Sequence, residues 1–162
     1  MAQEQIPESQ WAMAMTGKGK LQLKKVPVPV PQAGEVLIKV MCAPVNPSDL
    51  YCMKGMYDEF DLFKIPYPNV PGWEGSGIVV RSGGGFMGWK ALGKRVAFVR
   101  KVVGNEMIAG GAYQQYVITA AETCIPLDES LSMELGSMSF VNPLTALGLY
   151  ERTDELKARA FA

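Results

Sequence analysis

Short runs in which apolar and polar residues alternate, closed off by glycine or proline, fill most of this chain. Leu21-Gln22-Leu23-Lys24-Lys25-Val26 alternates with a period of two, and Pro27, Pro29 and Pro31 then break any ladder, as at a sheet edge or exit. Gly34-Glu35 leads into Val36-Leu37-Ile38-Lys39-Val40-Met41-Cys42-Ala43, the strongest strand candidate. Residues 77–81 and 95–103 read as further strands, and residues 111–118 alternate again. Strands at this spacing predict a mainly β domain with a few helices, a barrel or sandwich rather than βαβ units. Near Leu127 the pattern changes. Ser130 or Ser132 is placed to cap a helix, because Ser132-Met133-Glu134-Leu135 puts an acid in its first turn. Asn142-Pro143 then interrupts a run rich in methionine and small residues, residues 144–150 start a second helix, and residues 152–162 are charged and helix-prone.

Composition narrows the classes. With 162 residues, 48% hydrophobic and 20% charged, the chain is large enough for one packed domain and unlike a disordered or coiled-coil sequence. Sixteen basic and sixteen acidic side chains cancel, so no field draws in nucleic acid or anionic lipid, and no nucleic-acid partner is expected. There is no histidine, which removes the usual neutral-pH base and the commonest metal ligand. Cys42, Cys52 and Cys124 are scattered, with no Cys-x-x-Cys pair, so no zinc ligand set is expected; three cysteines without a signal peptide suit a reducing compartment. No apolar run nears the roughly 20 residues of a membrane span. Residues 1–10 are polar, with two glutamates and no arginine, unlike a targeting peptide. The expectation is an intracellular protein, cytoplasmic by default, with the mitochondrion left open.

Candidate chemistry concentrates between Asn46 and Gly77. A polar turn, Asn46-Pro47-Ser48-Asp49, is placed to open a helix, and Tyr57 follows in an expected loop. Without histidine, a phenol is one of few neutral groups able to donate a proton, and its ordinary pKa of about 10 suits an acid; a packing role is the alternative. Ser48 and Asp49 read as turn or cap residues, and Glu74 as a buried group needing a hydrogen-bond partner. Asn142 and Thr145 flank a helix start, where exposed N–H groups suit an anionic or carbonyl ligand, though capping explains them equally. Gly83-Gly84-Gly85-Phe86-Met87-Gly88 matches the spacing of a dinucleotide fingerprint, with Glu106 near the place of its ribose-binding acid. Residues 89–93 leave barely one helical turn before β character resumes, so the glycines read as a flexible β-turn.

At these residues the chain resembles the medium-chain dehydrogenase/reductase superfamily, in its zinc-free quinone oxidoreductase and 2-enoyl thioester reductase branch. The matching pieces are residues 34–40, Asn46-Pro47-Ser48-Asp49, Gly55-Met56-Tyr57, Pro71-Gly72-Trp73-Glu74-Gly75-Ser76-Gly77, Gly93-Lys94-Arg95-Val96, Gly111-Ala112-Tyr113 and Asn142-Pro143-Leu144-Thr145-Ala146, seven in family order. The resemblance implies a GroES-like, β-barrel-type catalytic domain over residues 21–128, preceded by an extension and first strand over 1–20. It implies NADPH-dependent reduction of a quinone or an activated 2-enoyl double bond. It gives Tyr57 a part in protonating or orienting substrate and places Asn46 and Thr145 near the nicotinamide; Asn142, at the same helix start, joins them as a candidate cofactor-binding residue. Zinc members of the superfamily hold their metal with a cysteine where this chain has Asn46 and a histidine where it has Trp73, so no zinc is implied. Residues 129–162 would lead into a Rossmann domain absent from this chain. The expectation is therefore a fragment or one half of a split enzyme, with a small-molecule substrate, a separate Rossmann domain and a homo-oligomer or larger complex as partners. The alternative is a non-catalytic GroES-like structural or assembly subunit, with residues 133–140 as its candidate contact surface.

Overall fold

The computed structural model describes residues 5–59, 63–104, 106–107 and 110–160. An antiparallel hairpin opens the chain, β1 (Ser9–Gly17) and β2 (Lys20–Pro27), followed by β3 (Glu35–Cys42). Two helices, α1 (Pro47–Lys54) and α2 (Met56–Glu59), lead to β4 (Glu74–Ser82) and α3 (Phe86–Ala91). Then come β5 (Arg95–Val99), β6 (Val102–Val103), β7 (Glu106–Met107), β8 (Tyr116–Ala120), a 3-10 turn at Ala121–Thr123 and β9 (Ile125–Pro126). The short helix α4 (Met133–Ser137) and the long helix α5 (Val141–Ala160) complete the described chain.

The central sheet has the order β8-β3-β4-β5-β9, with every neighbouring pair antiparallel. Its inward face carries Val36, Ile38, Val79, Val96, Phe98 and Val117, all at most 1% exposed. A second cluster, Met15, Cys52, Ile65 and Met107, lies where the hairpin meets α1. Strands β3 and β4 approach so closely that a Cβ added at Gly77 would sit 2.2 Å from the Lys39 carbonyl oxygen. That contact explains a glycine inside an apolar strand.

The barrel expectation is corrected: the fold is mixed α/β with open sheets. Closure needs hydrogen bonds between the outer strands. One edge strand, β9, has two residues, and its Pro126 has no N–H to donate. At the other side the hairpin stays a separate two-stranded sheet, and β1 meets the chain before β8 through a single bridge, Ala12 to Gln114. Glutamine side chains replace a ladder there: Gln10 Oε1 accepts from the Tyr116 N–H at 2.6 Å and Gln115 Oε1 from the Trp11 N–H at 2.9 Å.

The glycine run also differs from its reading as a β-turn. Gly84 and Gly85 have φ of 115° and 87°, and α3 starts directly after them. Asn142-Pro143 does not interrupt a helix either. Both lie in the first turn of α5, where a proline's missing N–H has no intrahelical partner to lose.

Candidate functional site

The turn at Asn46 opens α1 because Asp49 reaches back: its Oδ2 accepts from the Asn46 N–H at 2.8 Å. Its Oδ1 accepts from the Trp73 N–H at 3.0 Å, fastening α1 to the chain entering β4. Asp49 is 1% exposed, and burial raises its carboxyl pKa above the ordinary range against the pull of those N–H donors. Gly55 ends the helix in the left-handed conformation, at φ 76°.

Beyond its place in the capping box with Asp49, the Asn46 side chain makes longer-range contacts. Its Nδ2 donates to Glu74 Oε1 at 3.0 Å, and its Oδ1 accepts from Asn142 Nδ2 at 3.0 Å. Glu74, 1% exposed, accepts on its other oxygen from the N–H groups of Phe140 and Val141, at 2.8 and 2.9 Å. A buried carboxylate thus caps the 20-residue helix α5 and complements its dipole. Three elements meet at one point: α1 through Asn46, β4 through Glu74 and α5 through Asn142.

Tyr57 lies on α2, not in a loop, and is half-buried. Its ring stands edge-on to Phe63 and Trp73, with centroids 5.7 and 5.9 Å away, and those two rings are 5.2 Å apart. Burial raises the phenol's pKa, with Cys52, Asp49 and Tyr51 adding to the shift, so the hydroxyl stays protonated across neutral pH. Behind the rings Arg100, 3% exposed, lies 5.8 Å from the Trp73 ring centre and donates to the Val70 carbonyl and Asn69 Oδ1. Burial lowers its pKa from the ordinary arginine value.

Of the residues expected to act, the fold joins Asn46 and Asn142 directly. Tyr57 connects to that pair through Trp73 and Asp49, by packing and a backbone hydrogen bond. Thr145 is exposed one turn along α5, and its hydroxyl donates to the Val141 carbonyl. Sequence reading placed Glu74 correctly as a buried hydrogen-bonded group but gave no partner, since Phe140 and Asn142 lie far along the chain. Arg100 was missed altogether; the one available signal was a cation directly after the apolar run Val96-Ala97-Phe98-Val99.

Clefts of about 340 and 740 Å³ lie elsewhere. The first is bounded by the hairpin and Pro66, and the second by α3 and Leu127; neither is lined by Asn46, Tyr57, Asn142 or Thr145. Among the described residues no group of three or more His, Cys, Asp or Glu could hold a metal ion. Gly83 follows Ser82 at the far end of β4 from Glu74, about 30 Å away at the usual strand rise. The glycine run therefore cannot serve the same atoms as the Asn46–Glu74–Asn142 cluster.

Residues 32–129 match the family described as the alcohol dehydrogenase GroES-like domain. A trans-enoyl reductase of Aspergillus terreus is 32% identical over 133 residues, covering 80% of this chain and 42% of that protein. A quinone oxidoreductase of Rattus norvegicus is 34% identical over 127 residues, covering 78% of this chain and 35% of that protein. Among solved structures, a Mesorhizobium loti protein provisionally described as an NADPH:quinone reductase superposes with a TM-score of 0.82 at 29% identity, over 94% of this chain and 46% of its own. The chain spans about two-fifths of the length of the curated relatives it matches.

Proposed function

We infer that this chain, which belongs to the alcohol dehydrogenase GroES-like domain family of the medium-chain dehydrogenase/reductase superfamily, is the substrate-side part of an NADPH-dependent reductase acting on a quinone or a 2-enoyl double bond. The observation that carries the reading is the Asn46–Glu74–Asn142 cluster. It uses both ends of the Asn46 amide for hydrogen bonds, at the residue where, by the resemblance, zinc members have a cysteine ligand. Reduction without a metal needs a proton donor and fixed polar groups beside the acceptor carbon, and Tyr57, Asn46, Asn142 and Thr145 are the groups we assign to those tasks.

The fit to a nicotinamide is partial. Asn142 is exposed at the start of α5 and suits the polar end of the nicotinamide ring. For the pyrophosphate, the described residues offer only antiparallel named strands and the six-residue α3 behind a glycine run, not the parallel strand-to-helix turn such a group requires. Bound NADPH would supply the hydride. Tyr57 holds a proton at its hydroxyl and delivers it to the substrate as charge develops. Phe63 and Trp73 pack against the phenol ring and fix it. Asn46 and Asn142 hold their amides in one orientation, and Thr145 lines the same end of α5.

The test uses the protein purified from its source, supplied with NADPH and, in turn, a trans-2-enoyl thioester and a quinone. We expect consumption of NADPH with one of the two. No consumption with either would sink the reading.

A further inference from the structure

We propose that Glu74 is a positioning residue that fixes the hydrogen-bond polarity of the Asn46–Asn142 pair, so that Asn142 presents its carbonyl oxygen outward as an acceptor for an amide N–H. An asparagine amide has one donating and one accepting end, and either can face a given neighbour. An ionised carboxylate only accepts. Glu74 Oε2 already takes the N–H groups of Phe140 and Val141, and Oε1 faces Asn46, so Asn46 must turn its Nδ2 toward Glu74. Its Oδ1 then faces Asn142, which must turn its own Nδ2 inward. The remaining end of the relay is Asn142 Oδ1, on an exposed residue and without a donor among the described residues.

A buried carboxylate thereby decides the character of an atom two residues away from it in the network. The ligand it selects is one carrying an amide N–H. This rests on the reductase reading, under which two sources supply that group: the carboxamide of the nicotinamide, or an amide of the pantetheine arm on a thioester substrate.

Glu74→Gln separates polarity from mere support. The substituted side chain keeps a carbonyl for the two backbone N–H groups but turns an NH2 toward Asn46. Asn46 must then invert, Asn142 inverts after it, and an NH2 faces solvent. The experiment follows exchange of the Asn142 side-chain amide protons by NMR, on protein isotope-labelled at asparagine nitrogen, alongside the backbone amides of Phe140 and Val141. We expect Asn142 side-chain exchange to quicken about five- to tenfold in the variant, roughly what one hydrogen bond is worth. The two backbone amides stay protected. Equal Asn142 exchange in both proteins overturns the relay. Loss of protection at Phe140 and Val141 in the variant also overturns it, because Glu74 would then only hold the helix.

A second arm adds nicotinamide, 3-acetylpyridine or pantetheine and follows the Asn142 signal. Nicotinamide is expected to shift it more in the wild type than in Glu74→Gln, with 3-acetylpyridine, which lacks the N–H, showing the reverse. A response to pantetheine alone assigns the amide to the substrate instead. No response to any probe overturns the ligand half of the proposal. The exchange arm uses no reductase chemistry, so failure of the reductase reading would leave the relay itself standing.

Discussion

The Tyr57 phenol is held in T-shaped contact with two aromatic rings and raised in pKa by burial, which makes it a proton reservoir and a poor base at neutral pH. Tyr57→Phe keeps the ring and removes the proton. In an active preparation we expect turnover to fall about a hundredfold, the lower range for a lost general acid. The melting temperature should barely move, and a steady-state assay beside a thermal melt checks both. Unchanged turnover removes Tyr57 from the mechanism. Two carboxylates give the pH dependence opposite signs. Asp49 has a raised pKa in the fold, so its contribution is complete below its unfolded value of about 3.9 and is lost as pH rises through the raised value. Glu35 is pushed up by burial but pulled lower overall by the Lys101 ammonium at 2.7 Å and the Gln32 N–H. Its contribution is present above about 4.3 and is lost as pH falls through the lowered value. Urea titrations across this acid range should show Glu35→Gln flattening the acid-side loss. An unaltered acid limb would refute the role of the Glu35–Lys101 pair.

Helix α5 owes its start to a residue on another element. Its cap is Glu74 from β4, and most of its side chains are exposed, including Leu144, Leu147, Leu149 and Tyr150. The stretch 133–140, read from sequence as a candidate contact surface, is divided: α4 buries Gly136 and Ser137 and its first carbonyl accepts from the Ser76 hydroxyl at 2.6 Å, while Leu135 and Met138 are exposed. The cap of α4 was legible to within two serines: of Ser130 and Ser132, it is Ser132 whose Oγ accepts from the Leu135 N–H, with Glu134 in the first turn. The strands β2, β3 and β4 were legible too, from short runs bounded by glycine or proline; residues 95–103, read as one strand, are β5 and β6 broken at Arg100-Lys101, and of residues 111–118 only 116–118 enter β8. The helical start after Gly85 was not legible, because six residues carry too little periodicity to reveal a helix. Gly77 shows what local signals leave out, since its need for a bare Cα comes from Lys39 across the sheet. Gly77→Ala is expected to cost more than about 2 kcal/mol in urea unfolding, because backbone must move to admit the Cβ. A loss below about 0.5 kcal/mol would show that β3 and β4 separate easily.

At the scale of the whole molecule, open sheets leave the Asn46–Glu74–Asn142 junction at the end of β4, where α5 departs from the domain. Family and element order were readable from seven short motifs. Strand spacing left barrel and sandwich open and the resemblance implied a barrel; neither says whether the outer edges meet, which depends on pairing far apart in sequence. The partners of Asn46 were unreadable for a similar reason: Glu74 and Asn142 lie 28 and 96 residues further on. No helix among the described residues is long and apolar enough to cross a membrane. The relatives' greater length leaves room for the nucleotide-holding part that the described residues do not supply. The most direct measurement is to give the protein from its source NADPH labelled with deuterium at the transferable position, together with the acceptor it consumes, and locate the label. Deuterium is expected on the reduced acceptor carbon of an enoyl thioester, or lost to solvent from a reduced quinone, with label leaving the cofactor only when acceptor is present. Label retained on the nicotinamide with every acceptor would contradict the reductase reading.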